Sequence, residues 1–470
     1  MRLYEINTRA HCSRFEEITA AELMALSRLG FDSIWLMGIW QPSDAAGKIS
    51  RIISNDFVAS PYASPEYAVS GVLGGSEGLR LLVERAHWAA LSVIVDFVSN
   101  HMAVDSPWLD ERPDFFIRSD PNARRQRPSD FFLHKSGEVF AFGRDPHFPP
   151  WVDTAQLDYT SEALRARMSQ VFQSICGIAD GVRCDMAMLV LRDYIREQWY
   201  PYSSEAAFGE RTPGEFWDRA LSDVVRRQPS FLSVAEAYWD KERRLLDLGF
   251  DLAYEKKLYD GLVNRDLPLI LSRLSRSRRD LDGSLYFIEN HDEERAAALF
   301  DRGEQLAAAA LIMCLPGSVL IHEGQMEGKR ERLPVQRLRP TTDEPLDDNL
   351  RAQYVTLLQL TRDQVFKTGA FYLFEPGAPG TLGLIRQNSS RTVVYVGQLA
   401  AASGLGSSVV DLTEVSCKIS AARGFRTLNL VNSVSCDVIA NNGTFNLRLS
   451  DLGVDRDARH CLLEIIADSL

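Results

Sequence analysis

The chain has 470 residues, 45% hydrophobic and 25% charged, an ordinary globular composition with length for one barrel-sized domain and a smaller companion. Its formal net charge of −12 and pI near 5.3 exclude the clustered cationic surface that grips phosphate backbones, so nucleic acid is not an expected partner. Seven scattered cysteines lack paired metal-ligand spacing and read as reduced thiols, while residues 1–9 show strand-like alternation rather than the apolar run of a signal peptide. The most apolar stretch, residues 306–321, is broken by Pro316 and Gly317 short of membrane length. The expectation is a soluble, cytoplasmic protein that does not enter membranes.

In chain order, residues 2–8 predict a first strand and 20–29 a helix stopped by Gly30. Residues 33–37 form a second, wholly apolar strand, followed by a long loop carrying Ser-Pro-Tyr-Ala-Ser-Pro-Glu-Tyr at 60–67. A helix over 76–91, with Leu79, Leu82, Val83 and Ala86 on one face, leads to a third strand at 92–97. Between His101 and Gly181 the alternation stops, and a segment rich in Pro, Asp, Arg and aromatics reads as an inserted subdomain, because a structureless loop of that length does not suit a compact fold.

The pattern resumes with a fourth strand ending at Asp185, a helix over 213–227, and strands at 231–235, 250–254, 284–289 and 318–322. An amphipathic helix over 349–365 follows. Eight strand–helix units predict an eight-stranded α/β barrel over residues 1–101 and 180–365, with 102–179 inserted and the active site at the C-terminal strand ends. From 366 to 470, short alternating runs at 392–396, 427–431, 445–449 and 461–466, with Gly, Asn and Ser turns, predict an antiparallel β-sandwich. Residues 400–408 read as a Gly/Ser-rich loop too short to link domains.

The fourth strand ends in Arg183-Cys-Asp185, and alternation puts both charged side chains on one side, where the fixed cation keeps the aspartate ionised, as an attacking carboxylate must be. Strand three ends in Asp96-Phe-Val-Ser-Asn100-His101, strand five in Ala235-Glu236-Ala-Tyr238-Trp239 and strand seven in Glu289-Asn290-His291-Asp292. Asp185, Glu236 and Asp292 are thereby expected on one rim, an acid beside a base, which is the arrangement of glycoside hydrolysis. Asp96 reads as structural, and Trp40, Tyr238 and Trp239 as either sugar platforms or rim packing.

These segments resemble the α-amylase superfamily, glycoside hydrolase family 13, whose four regions occur in order as DFVSNH (96–101), GVRCDMA (181–187), AEAYW around Glu236, and FIENHD (287–292). The resemblance implies Asp185 as nucleophile, Glu236 as general acid/base and Asp292 as stabiliser of the oxocarbenium-like transition state. It implies Tyr62, His101, Arg183, His291 and Arg295 around the sugar at the cleaved bond. It requires no cofactor, and leaves calcium open with Asn100 and Asp158 as candidate ligands, Asp158 through the Gln156-Leu157-Asp158 segment.

The match departs after the nucleophile, where the family's Lys-His pair is replaced by Met188 and Leu189; this predicts apolar acceptor subsites and argues against endo-cleavage of long starch. The leading expectation is a retaining hydrolase of short α-glucans or small α-glucosides. The alternatives are a transglycosylase or isomerase of the same family, such as a glucosyl- or maltosyltransferase or a trehalose synthase, and a non-catalytic carbohydrate-binding protein. Arg330, Arg332, Arg337 and Arg339 read either as a greeting for an anionic acceptor or as a solvated loop.

Overall fold

Eight parallel strands close a barrel in which every strand lies beside its chain neighbours: β1 (Arg2–Asn7), β2 (Ser33–Met37), β3 (Ser92–Val98), β4 (Gly181–Asp185), β5 (Leu232–Ala235), β6 (Leu252–Tyr254), β7 (Ser284–Tyr286) and β8 (Ser318–His322). The computed structural model describes residues 1–204, 208, 214–400, 404–406, 408–418, 424–441, 444–455 and 457–466. Pro213, the expected start of a helix, and residues 401–403 and 407 of the expected Gly/Ser loop lie outside them. By backbone proximity the chain falls into two compact units, Leu3–Tyr254 with Leu333–Thr341, and Met1–Arg2 with Glu255–Arg332 and Thr342–Leu470.

In the unit built on residues 3–254, the expected helix boundaries follow from end chemistry. Thr19 caps the helix Ala20–Leu29 by accepting from the Glu22 N–H, and Gly30 closes it in the left-handed region at φ 95°. A Cβ on Gly181, at the start of β4, would meet the Leu232 carbonyl at 2.6 Å, so only glycine lets β4 and β5 approach in register there. That register matters, because it sets Asp185 and Glu236 at the ends of adjacent strands.

Among the helices of this unit that the sequence does not announce, two are the longest. Asp44–Ile53 lies in what reads as loop, capped by Ser43, and Glu162–Cys176 lies in what reads as insertion, capped by Ser161. The first carries Gly47 and the second follows a Pro-rich stretch, and both signals argue against helix until tertiary packing overrides them. Before the second helix the insertion builds antiparallel pairs among His101–Ala103, Arg118–Ser119, Phe131–Leu133, Val139–Gly143 and Trp151–Gln156.

In the other unit the expected helix over 349–365 is two helices, Asp348–Leu360 and Gln364–Thr368. Asp363 restarts the helix by accepting from the Val365 N–H at 2.8 Å. The expected antiparallel strands are present after residue 366. Their main sheet runs β9 (Ala370–Phe374), β10 (Thr381–Gln387), β11 (Thr392–Gln398), β16 (His460–Ile466), β13 (Gly424–Asn429), β14 (Ser435–Ile439), and a second ladder pairs β12 (Val409–Asp411) with β15 (Asn446–Arg448). One buried cluster, including Phe374, Val394, Val410, Phe425, Leu447 and Leu463, is shared by the two sheets. Arg386, fully buried, ties β10 to the barrel helix Arg302–Cys314 by donating to the Cys314 carbonyl at 3.0 Å. All seven cysteines are free thiols, and among the described residues no helix is long and apolar enough to cross a membrane.

Candidate active site

Arg183 is the hub of the unit built on residues 3–254. Its guanidinium reaches Asp185 Oδ1 at 2.7 Å, Glu236 Oε1 at 2.7 Å and Asp96 Oδ1 at 3.8 Å, and its Nε donates to the Tyr254 hydroxyl at 3.4 Å. The rings of Trp35, Tyr62 and Tyr254 lie 5.1, 5.4 and 5.7 Å from the guanidinium carbon. Arg183 is 1% exposed. Burial by itself lowers its pKa, and its neighbours, Glu236 first, more than offset that, so the pKa is raised and the cation persists.

Glu236 receives two further donors, the Tyr238 hydroxyl on Oε1 at 2.9 Å and the Met186 main-chain N–H on Oε2 at 2.6 Å. Met186 takes a left-handed conformation, φ 43°, uncommon outside glycine, and the Ala187 N–H then donates to the Glu236 carbonyl at 3.1 Å. The turn after β4 is thus tied to the end of β5 by two hydrogen bonds, one to the side chain and one to the backbone of Glu236.

Asp96 is structural, as expected: it accepts from Trp35 Nε1 at 3.2 Å and the Gly38 N–H at 2.9 Å. Trp40 is packing, 2% exposed, with its Nε1 donating to the Asp96 carbonyl at 2.8 Å. His101 is buried, which pushes its pKa down to about 4, and the neutral ring donates from Nε2 to the Tyr62 carbonyl at 3.2 Å. The tautomer follows from that acceptor. Met188 and Leu189 are 0% and 2% exposed within the turn Ala187–Val190, so they cannot line an acceptor subsite. The expectation of an apolar acceptor side built on them is therefore wrong: the turn folds the pair into the core.

Neither calcium candidate fits a cation cage. Asn100 Oδ1 accepts from Gln156 Nε2 at 2.9 Å, while Asn100 Nδ2 donates to Gln156 Oε1 at 3.2 Å, a neutral amide pair. Asp158 Oδ1 is occupied by the Thr160 N–H at 3.0 Å and the Thr160 hydroxyl at 2.5 Å. Among the described residues no group of three His, Cys, Asp or Glu side chains could hold a metal.

In the other unit, His291 Nε2 lies 2.9 Å from Asp292 Oδ2, with His291 buried and the Asp292 side chain 45% exposed. Arg332 donates to the Asp292 carbonyl at 2.7 Å. Arg295 spends its fork on protein groups: the Glu289 carboxyl at 3.1 Å, His322 Nδ1 at 2.6 Å and the Glu323 carbonyl at 2.8 Å. Glu289 is fully buried, and the loss of solvation pushes its pKa up to about 7 against the pull of Arg295. With its Nδ1 lone pair taken by Arg295, His322 gives no proton to Glu289 Oε1, 3.2 Å from the same nitrogen. Of the other loop arginines, Arg337, in the first unit, pairs with Asp56 at 2.9 Å over the Phe57 ring.

The sequence reading placed Arg183 beside Asp185 but assigned no role to the Tyr238 hydroxyl, to Tyr254 or to the left-handed Met186. Tyr254 and Trp35 sit in β6 and β2, where an inward-facing aromatic reads as core. Only the presence of a buried charge beneath them distinguishes the two uses.

A sequence profile of the alpha-amylase catalytic domain matches residues 19–248. Among curated proteins, the chain is 25% identical over 348 residues to the alpha-amylase MalA of Haloarcula japonica, covering 70% of this chain and 44% of that protein. It is 22% identical over 353 residues to a probable oligo-1,6-glucosidase of Bacillus subtilis, covering 64% and 59%. The chain spans about half the length of the curated relatives it matches. Among solved structures, a maltogenic alpha-amylase from Thermotoga neapolitana superposes with TM-score 0.74 at 19% identity over 99% of this chain and 98% of that one. A trehalose-6-phosphate hydrolase from Bacillus licheniformis gives 0.70 at 15% identity over 99% and 98%. The matched profile spans the strands that carry both Asp185 and Glu236, and the barrel closes as in these structures, so residues 19–248 are similar to the catalytic domain of the alpha-amylases.

Proposed function

We propose that the protein is a retaining glycosidase that cleaves α-glucosidic bonds of short α-glucans or small α-glucosides by double displacement. The observation that carries this reading is the single buried guanidinium of Arg183 shared by Asp185 and Glu236 at 2.7 Å each, at the ends of adjacent strands. The cation holds Asp185 ionised and fixes the direction of its attack.

In the first step Glu236 delivers a proton to the glycosidic oxygen while Asp185 attacks the anomeric carbon, forming a glycosyl ester and releasing the leaving group. In the second, Glu236 takes a proton from water, the water oxygen attacks the same carbon, and Asp185 leaves as carboxylate. The configuration at that carbon is inverted twice and so retained. On this reading Asp292 serves as the third carboxylate on sugar hydroxyls, with Tyr62, His101 and His291 as the ring's other partners, while Arg295, bound to Glu289, His322 and Glu323, supports the rim from behind. Residues 102–179 correspond on this reading to the family's inserted domain and 366–470 to its C-terminal β-domain. Seven free thiols suit a reducing, cytoplasmic compartment.

The test is a product profile by chromatography with maltose to maltoheptaose, starch, isomaltose, sucrose and trehalose, run beside Asp185→Asn. Shorter sugars only, absent in the folded variant, are expected; longer or isomeric products would move the protein to the transferase class, and binding without cleavage to the non-catalytic one.

A further inference from the structure

Asp292 sits in a stretch without regular structure: residues 287–295 form neither helix nor strand between β7 and the short helix Ala296–Leu299. With no ladder or helical hydrogen bonds to hold the backbone there, side chains must hold it. Asn290 supplies one hold, its Oδ1 accepting from the Asp292 and Glu293 N–H groups at 2.9 and 3.0 Å. Arg332 supplies the other from the segment after β8. Its Nη1 donates to the Asp292 carbonyl at 2.7 Å, and its Nε lies 3.6 Å from Glu294 Oε1. The peptide groups on both sides of Asp292 are thereby fixed, and His291 Nε2 meets the carboxylate itself at 2.9 Å.

An arginine on a surface loop ordinarily samples many rotamers. Here the stem is clamped. The Glu344 carboxylate accepts from the Arg330 and Glu331 N–H groups at 3.0 and 3.2 Å, and the Glu331 carboxylate accepts from the Thr342 N–H and hydroxyl at 3.2 and 3.0 Å. Arg332 follows directly, so its guanidinium leaves a backbone already tied down.

The fold does not need this contact. Arg295, 5% exposed, already joins the same two segments by donating to the Glu323 and Lys329 carbonyls at 2.8 and 3.4 Å. A second tie, made by a side chain 45% exposed, adds little stability. What it adds is a fixed direction for one peptide, the one that follows Asp292.

We propose that Arg332 is a positioning residue: by holding the Asp292 carbonyl it keeps the Asp292 carboxylate aimed at the sugar in the transition state. The proposal rests on the reading of Asp292 as the third carboxylate. A group that stabilises developing charge works only over a narrow range of positions, and a misplacement of about 1 Å costs up to ~100-fold in rate. Arg332 thus serves the chemistry of a neutral sugar, and is neither a greeting for an anionic acceptor nor a solvated loop residue.

The experiment is a double-mutant cycle in the full chain, on whichever sugar of the product panel is cleaved fastest. Arg332→Ala is expected to lower kcat about tenfold with KM changed less than about twofold and the thermal midpoint moved by less than about 2 °C, and Arg332→Lys, which keeps a donor, to regain most of the rate. In the Asp292→Asn background the same Arg332→Ala replacement should change kcat less than about twofold, since nothing is left to position. A tenfold fall in both backgrounds, a fall that tracks a lowered thermal midpoint, or no fall at all overturns the proposal. Asp292→Asn with the rate of the unmodified chain removes the reading of Asp292 and the proposal with it, and a panel without any cleavage removes the glycosidase reading and both. A slow Asp292→Asn with additive losses removes the role of Arg332 alone.

Discussion

The main-chain N–H of Met186 donates to Glu236 Oε2 at 2.6 Å, so the residue next to Asp185, the proposed nucleophile, helps set the position of Glu236, the proposed acid/base. The left-handed backbone at Met186 aims that N–H. Together with Arg183 and Tyr238 on Oε1, it gives the Glu236 carboxyl three donors, each of which favours the ionised form, while the proposed first step needs the protonated one. Binding of a substrate oxygen and exclusion of water must tip that balance, and the number of donors sets where it tips.

Removing one donor should therefore be visible in a pH profile. In Tyr238→Phe the carboxylate form of Glu236 loses a hydrogen bond, its proton is held more tightly, and the basic limb of kcat/KM moves to higher pH. A shift of about half a unit to one unit is expected from the value of a single hydrogen bond. A profile superimposable on that of the unmodified chain would show that the hydroxyl only packs.

Gly38 controls the placement of Tyr62. It has φ 78°, its N–H is on Asp96, and a Cβ there would lie 2.8 Å from the Pro61 Cβ. Gly38→Ala should destabilise the fold by about 1–3 kcal/mol from backbone strain and displacement of Pro61. KM should rise more than kcat falls, because the neighbouring ring moves while Arg183, Asp185 and Glu236 do not. Thermal unfolding and steady-state kinetics on one preparation check both parts.

Of the eight histidines, His101 and His460 should stay neutral far below the usual range, since burial pushes each down to about 4. Their unfolded counterparts protonate near 6.5, so each depressed pKa costs stability as pH falls from about 6.5 to 4. Imidazole NMR signals followed from pH 8 to 4.5 should show these two fixed; a midpoint near 6.5 for His101 would show that its ring is solvated and not buried.

Glu289 gives the opposite sign. Its folded pKa is raised to about 7, so the protonated form stabilises the native state fully below the unfolded value near 4.5, and that contribution is lost as pH rises through 7. Up to about 3 kcal/mol is at stake over this window. Denaturant midpoints at pH 5 and 7.5 should differ less in Glu289→Gln than in the unmodified chain; an equal difference would assign the dependence to other groups.

The barrel was legible because its strands are short apolar runs separated by helical periods. β1, β2, β4 and β8 ended within a residue of expectation where glycine, a charge or a polar rim residue follows the run. The helix Asp44–Ile53 was hidden by Gly47, whereas Glu162–Cys176, capped by Ser161 and apolar at Leu164, Met168, Val171, Phe172 and Ile175, carries a helical period that the surrounding Pro-rich insertion obscured. In the site, motif order singled out Asp185, Glu236 and Asp292, and the structure sets the first two on one guanidinium. Motif order could not show that Met188 and Leu189 turn inward, because the direction of a turn depends on the left-handed Met186, which carries no glycine or asparagine to announce it. Arg295 likewise looked available to substrate in a motif, whereas its fork is closed on Glu289, His322 and Glu323.

The central claim is that Asp185 forms a covalent bond to the sugar. The most direct measurement is trapping with 5-fluoro-α-glucosyl fluoride, which slows release of the glycosyl ester, followed by peptide mass spectrometry and by NMR of the first-formed product anomer with the natural substrate. One fluoroglucosyl unit on Asp185 and an α-configured first product are predicted. A label on Glu236, or a β-configured first product, would contradict the account.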